Sequence, residues 1–295
     1  MRHVGFIGIG AMGKSMVKNL LKNGEEITIY DVNSDVLEEF HSEKVNIANS
    51  VSEVGNKSDI VILMLPNSKI VNDVVMGKGG LNESMSSDSM IIDMSSSYAL
   101  ETQKMKALLS SNSIRLIDAP VSGGVPKAKS GELTIMVGGS EEDFKEIHDL
   151  LSILGSKISL IGDTGSGHAL KAINNYLSAA SMYATAEALI LAQKLGINSE
   201  VAIEAINTST GKSHSSQFKY PTYVLPREFT SNFSLDLQLK DIVMAKKLAT
   251  DVHMPMLLGA PLIEIYESAV SLGGEGQDHT EIIKFIEAIS HEQLT

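Results

Sequence analysis

Val4-Gly5-Phe6-Ile7-Gly8-Ile9-Gly10-Ala11-Met12-Gly13 decides how the first half of this 295-residue chain folds. A short apolar run that ends in G-x-G-x-x-G predicts a strand, a tight turn and a helix, the dinucleotide-binding fingerprint. Gly8 permits the turn, Gly10 lets the backbone approach a pyrophosphate, and Gly13 lets the helix pack close to the sheet. The helix N-terminus adds unpaired N–H groups and the positive end of its dipole. Glycine-rich turns are common, so the flanks carry the reading. Met12, Met16, Val17, Leu20 and Leu21 give the following segment an apolar face, and a second strand, Ile27-Thr28-Ile29-Tyr30, ends at Asp31, eighteen positions after Gly13. Gly8, Ile9, Gly10, Ala11, Met12 and Gly13 are therefore expected to hold the cofactor.

Asp31 speaks to which cofactor. A carboxylate at the end of the second strand accepts hydrogen bonds from the adenosine ribose and repels a 2′-phosphate, and Val32-Asn33-Ser34 brings no arginine. NAD is expected, with NADP as the alternative. The competing role for Asp31 is to cap the next helix together with Asn33 or Ser34.

Composition narrows the remaining classes. The chain is 43% hydrophobic and carries a net charge of −12, with 24 Lys and Arg against 36 Asp and Glu. Phosphate backbones and anionic membranes need concentrated basic residues, so neither is expected as a partner. With no cysteine there are no disulfides, zinc-thiolate sites or thiol catalysis, which fits the cytoplasm. With a strand expected from about His3, no secretory leader is expected. No apolar stretch approaches the roughly 18 residues of a membrane span. The eight histidines show no metal-ligand spacing, and the fourteen methionines read as core filler.

Apolar, β-branched runs recur at 4–7, 27–30, 60–65, 90–93, 114–118, 133–137 and 158–161. Near-continuous apolarity predicts strands buried on both faces of a mainly parallel sheet. Residues 1–163 thus read as a doubly wound α/β domain. After Gly162-Asp163-Thr164-Gly165-Ser166-Gly167 the chain becomes alanine-rich and free of proline and glycine from His168 to Leu195. A helix there is about 40 Å long, and apolar residues on nearly every face predict that it is buried in a second domain or a subunit interface. Further helices are expected at about 199–208, 235–252, 258–272 and 278–290. Residues 164–295 read as an all-helical domain built around the long helix.

Lys171 and Asn175, four apart, share one helix face. A buried lysine can act as proton donor or acceptor, and an asparagine one turn on can hold a hydroxyl or carbonyl. A solvated helix face gives the same spacing, but the apolar neighbours Leu170, Ala172 and Ile173 favour a site. Asp118-Ala119-Pro120-Val121-Ser122-Gly123-Gly124 ends a strand in a glycine turn, where ligands of open α/β sheets bind. The Ser122 hydroxyl and the N–H groups of Gly123 and Gly124 form a carboxylate nest in one reading and a plain tight turn in the other.

Four blocks in order resemble the β-hydroxyacid dehydrogenases, the group of 3-hydroxyisobutyrate dehydrogenase and tartronate semialdehyde reductase, which are related to 6-phosphogluconate dehydrogenase. They are Gly5 to Gly13, Asp118 to Gly124, Gly165-Ser166-Gly167-His168-Ala169-Leu170-Lys171 through Asn175, and Lys240-Asp241. The resemblance covers essentially the whole chain. It implies a Rossmann domain followed by an all-α domain, and a homodimer or homotetramer built through the helices. It also implies that Lys171 is the catalytic acid/base, that Ser122, Gly123, Gly124 and Asn175 hold a small hydroxy acid or semialdehyde, and that Lys240 closes over the cofactor. Leu65, Pro66 and Ser96 match positions lining the cofactor channel, Ser96 standing where the family more often has threonine. Phe233 is expected as an apolar lid or as a helix-packing aromatic. His168, three before Lys171, is expected as a surface or supporting residue. The rivals are a tartronate, glyoxylate or succinic semialdehyde reductase using NADPH, an imine reductase, and a non-catalytic NAD-binding protein. Lys171 argues against the imine reductases, which commonly lack it, and the set Ser122, Lys171 and Asn175 argues against a non-catalytic role.

Overall fold

The computed structural model describes residues 2–40, 45–273 and 276–295. Among the described residues nine strands form one sheet: β1 Val4–Ile7, β2 Ile27–Tyr30, β3 Val45–Ile47, β4 Ile60–Leu63, β5 Met90–Asp93, β6 Arg115–Asp118, β7 Val121–Ser122, β8 Leu133–Gly138 and β9 Gly155–Gly162. Their order is β3-β2-β1-β4-β5-β6-β8-β7, with β9 paired to β8. Strands β1 to β6 are parallel, β8 runs antiparallel to β6 and β7, and β9 is parallel to β8. The chain starts in the middle at β1, builds outward to β3, and then returns to place β4 on the other side of β1. The carboxyl ends of β1 and β4 therefore border the switch point, where such sheets bind ligands.

The connections are α1 Ala11–Lys22, α2 Val51–Lys57, α3 Ser68–Met76, α4 Leu81–Ser84, α5 Ala99–Leu109, α6 Gly124–Ser130 and α7 Glu141–Leu154. Helices on both faces explain the unbroken apolarity of the strands. Along β4, Ile60 and Ile62 enter one apolar layer while Val61 and Leu63 enter the other. Strands β6 and β7 act as one bent strand along β8. Pro120 cannot donate to the ladder, yet its carbonyl still accepts from Met136 N at 3.1 Å.

Helices dominate the remainder: α8 Ser166–Lys194, α9 Ser199–Asn207, a π-helical stretch Ser215–Val224, α10 Leu235–Asp251, α11 Gly259–Gly273 and α12 Ile282–Ser290. The chain divides into two compact units, Met1–Lys171 and Ala172–Thr295, so the division falls inside α8. Met182, Leu189, Tyr220, Ile242, Leu262 and Tyr266 are among the residues of the second unit's core. Tyr220 and Tyr266 donate to the carbonyls of Met182 (2.8 Å) and Ala179 (3.2 Å), and burial pushes both phenols well up.

The stretch Ser215–Val224 coils with wide turns around Pro221, which has no N–H for a regular ladder. Along α8, burial within a single chain is uneven. Ala172, Ala179, Met182, Ala186 and Leu189 are fully buried, whereas Ile173, Leu177 and Leu191 are 45%, 60% and 60% exposed. Among the described residues, no helix is long and apolar enough to cross a membrane.

Candidate active site

The glycine loop shows two steric needs and one open position. Gly8 has φ +99°, and a Cβ on it would strike the Met64 carbonyl at the end of β4. A Cβ on Gly13 would strike the Gly8 carbonyl, so α1 sits directly on the turn. At Gly10 the same construction meets nothing within 4 Å, so the loop opens outward there. No side chain caps α1 and no acidic residue occupies its first turn. Space beside Gly10 and uncapped first-turn N–H groups fit a pyrophosphate.

Asp31 is tied to that loop. Its Oδ2 accepts from Ile9 N at 2.6 Å and its Oδ1 from Asn33 N at 2.8 Å. The turn into the next segment is made by Asn33, whose side-chain oxygen accepts from Asp35 N at 3.0 Å. Asp31 therefore faces the loop, and Asn33 takes the local capping role. The loops after β4 and β5 are joined by Ser95, whose hydroxyl accepts from Leu65 N at 2.9 Å and whose own N–H donates to Asp93 at 3.0 Å. Ser97 donates to the other Asp93 oxygen at 2.7 Å. Ser96 is half-buried and stands outside this network, while Leu65 is half-buried and Pro66 exposed.

Ser122 ends β7 half-buried, and Gly123 and Gly124 are exposed with φ +132° and +65°. A Cβ at Gly123 would lie 2.6 Å from Lys127 Cδ. Only glycine adopts this turn without strain.

A cluster that local sequence does not announce fixes the start of α8. Asp118 is fully buried; its oxygens accept from Gly165 N at 2.6 Å and His168 N at 2.7 Å. It thus satisfies donors that the helix start would otherwise leave unpaired. Burial pushes its carboxyl up, and His168 with the two N–H donors opposes that shift. His168 is buried as well, with Nδ1 2.9 Å from Thr102 Oγ1 and Nε2 3.7 Å from Asp93 Oδ2. A Cβ on Gly138 or Gly167 would collide with Asp118 or the Met136 carbonyl, so both glycines permit this close approach. His168 is therefore a buried anchor and not a surface residue. Half-buried Lys171 lies one turn beyond it.

In the second unit, buried Asn175 donates through Nδ2 to Asp241 Oδ2 at 2.5 Å, and its backbone carbonyl accepts from Gln238 Nε2 at 2.9 Å. Asn175 Oδ1 also accepts from Asn174 at 3.2 Å. Asp241 thereby orients the amide, committing an N–H of Nδ2 to itself. Lys240 Nζ is 3.6 Å from Asp241 Oδ1. Phe233 is half-buried and meets His279 edge-on, with ring centroids 5.4 Å apart. Burial, reinforced by Lys219, pushes His279 down to about 4, so that it is neutral near pH 7. Sequence reasoning named Asn175 and Lys240 but missed Gln238, which carries no local signal.

Comparisons with known proteins agree across both units. Residues 3–162 match the NAD-binding domain of 6-phosphogluconate dehydrogenase, and residues 165–286 match the NAD-binding family model of NADP-dependent 3-hydroxyisobutyrate dehydrogenase. The chain is 36% identical over 287 residues to 2-(hydroxymethyl)glutarate dehydrogenase of Eubacterium barkeri, covering 97% of this chain and 95% of that protein. It is 36% identical over 296 residues to mitochondrial 3-hydroxyisobutyrate dehydrogenase of Mus musculus, covering 96% and 86%. The structure of Mycobacterium tuberculosis 3-hydroxyisobutyrate dehydrogenase with L-serine superposes with a TM-score of 0.90 at 28% identity, covering 97% of this chain and 99% of that one. The chain carries NAD(P)-binding domains and belongs to the β-hydroxyacid dehydrogenase family.

Proposed function

We propose that this protein transfers hydride between NAD(H) and a small 3-hydroxy carboxylic acid or its semialdehyde, in the manner of a 3-hydroxyisobutyrate dehydrogenase. The observation that supports this reading is Lys171 one turn into α8, a helix whose start Asp118 and His168 hold. Residues 1–163 bind the cofactor and residues 164–295 bring Asn175 and the helical scaffold. Gly8 to Gly13 and Asp31 hold the dinucleotide, Leu65, Pro66 and Ser96 line its channel, and Lys240 covers it. The bound nicotinamide supplies the hydride acceptor or donor.

The chain's own residues supply geometry and a proton path. In oxidation the neutral Lys171 amine accepts the substrate hydroxyl proton at Nζ; in reduction its ammonium returns that proton to the carbonyl oxygen. Asn175, its amide turned by Asp241, orients the same oxygen. Ser122 with the N–H groups of Gly123 and Gly124 holds the carboxylate, and Phe233 excludes water as an apolar cover. Fixing both ends of a small acid in this way is worth several kcal/mol of barrier.

The cofactor preference rests on the Asp31 carboxylate. NAD is expected to exceed NADP in kcat/KM by about tenfold or more, because a 2′-phosphate there meets a negative charge. Steady-state kinetics with both cofactors measures this, and Asp31→Ser narrows the gap; equal use of NADP by the unaltered protein refutes it. In that case an NADPH-linked tartronate, glyoxylate or succinic semialdehyde reductase becomes the better description.

The outward stripe of α8 supports a homodimer or homotetramer. Ile173, Leu177 and Leu191, continued by Leu195 just past the helix end, leave it apolar and exposed in one chain, and a second copy gives it cover. Sedimentation is expected to report a dimer or larger assembly that Leu177→Glu weakens. A monomer at micromolar concentration rules the assembly out. The absence of cysteine fits a reducing cytoplasm.

A further inference from the structure

Ser178 lies three residues beyond Asn175 and seven beyond Lys171, so the three share one stripe of α8. From the π-helical stretch Ser215–Val224, the Lys219 ammonium donates to the Ser178 hydroxyl at 2.8 Å. Both residues are half-buried. The neighbouring imidazole of His279 is held neutral by burial and by this same lysine, so it adds no second positive charge. The stripe that bears the orienting amide of Asn175 thus continues into a hydroxyl and a cation. Asn175, Ser178, Lys219 and His279 all belong to the second compact unit.

We propose that Lys219, together with Ser178, is the specificity determinant for a second anionic group on the substrate, so that the preferred hydroxy acid is a dicarboxylate. This rests on the reading that Lys171 and Asn175 hold the reacting hydroxyl. At 1.5 Å rise per residue, Ser178 stands about 4.5 Å beyond Asn175 along the helix axis. A methyl branch on the substrate does not span that distance, whereas an arm of two methylenes ending in a carboxylate does. A carboxylate there gains a charge-assisted hydrogen bond from a partly desolvated ammonium.

Two compounds isolate this effect. 3-Hydroxyisobutyrate and 2-(hydroxymethyl)glutarate share the hydroxymethyl and carboxylate head, and the methyl of the first is a propionate arm in the second. The ratio of their kcat/KM values is expected to favour the dicarboxylate by about tenfold or more in the unaltered protein, to approach one in Lys219→Met, and to recover in part in Lys219→Arg. A merely structural lysine would lower both values together and leave the ratio unchanged. Calorimetric titration of glutarate and butyrate into the protein–NADH complex repeats the comparison without turnover. If neither hydroxy acid is oxidised but glutarate keeps an advantage that Lys219→Met removes, the proposed reaction fails and the distal anion site stands. A ratio near one in the unaltered protein, or one that Lys219→Met leaves intact, overturns the site.

Discussion

Replacing Lys171 by alanine is expected to lower kcat by about a hundredfold or more while NADH affinity stays within about a factor of three. The side chain is half-buried on a helix that cannot easily shift. Asp118 holds the Gly165 and His168 N–H groups, and His168 is itself locked by Thr102. With the helix start fixed by Asp118, His168 and Thr102, removal of Nζ deletes the proposed proton acceptor and leaves that start in place. The glycine loop and Asp31 depend on Ile9, Gly13 and Met64, none of which requires Lys171. Single-turnover kinetics and NADH fluorescence titration check the two halves of the expectation. A parallel fall in NADH affinity would make Lys171 a cofactor-holding or structural residue and would remove the acid/base assignment.

What could be read from residues alone follows from how local each constraint is. The loop from Gly8 to Gly13 imposes its needs within six positions, so the glycines appear in the sequence where the backbone requires them. Strands covered on both faces leave unbroken apolar runs, and β1, β4 and β5 were legible for that reason. Strand β3, Val45-Asn46-Ile47, is too short and too exposed to leave such a run. The cluster of Asp93, Thr102, Asp118 and His168 brings together β5, α5, β6 and α8, and no spacing along the chain encodes that meeting. Its one visible sign was an aspartate ending an apolar strand ahead of a glycine turn. The apolar residues of α8 pointed to burial in a domain core or a subunit interface, and sequence periodicity cannot tell which of its faces is buried within one chain. Lys219 was hidden differently, because a π-helical stretch interrupted by Pro221 defeats the 3.6-residue period that would have placed it beside Ser178.

The proposed carboxylate nest gives the other large expected effect. Replacing the substrate carboxylate by a neutral amide is expected to cost about 2–4 kcal/mol in kcat/KM, roughly 30- to 1000-fold, because charge-assisted hydrogen bonds to Ser122 and the glycine N–H groups are lost. Gly123→Val is expected to do comparable damage from the protein side. Its φ of +132° strains any L side chain, and its Cβ would press against Lys127 Cδ at 2.6 Å, so the turn must open. The strain arises at the junction of β7 and α6, which touches α1 where Asn19 Nδ2 donates to the Ala128 carbonyl at 2.7 Å, while the glycine loop itself is set by contacts within β1, α1 and Met64. NADH titration of the variant therefore separates a lost acid site from a damaged Rossmann domain: affinity for NADH persists as activity toward hydroxy acids disappears. If the unaltered protein oxidises neutral hydroxy amides or simple alcohols as well as it oxidises hydroxy acids, the turn is not an acid site. The chain would then act on carbonyls or imines that carry no carboxylate, and Lys171 would serve that chemistry instead.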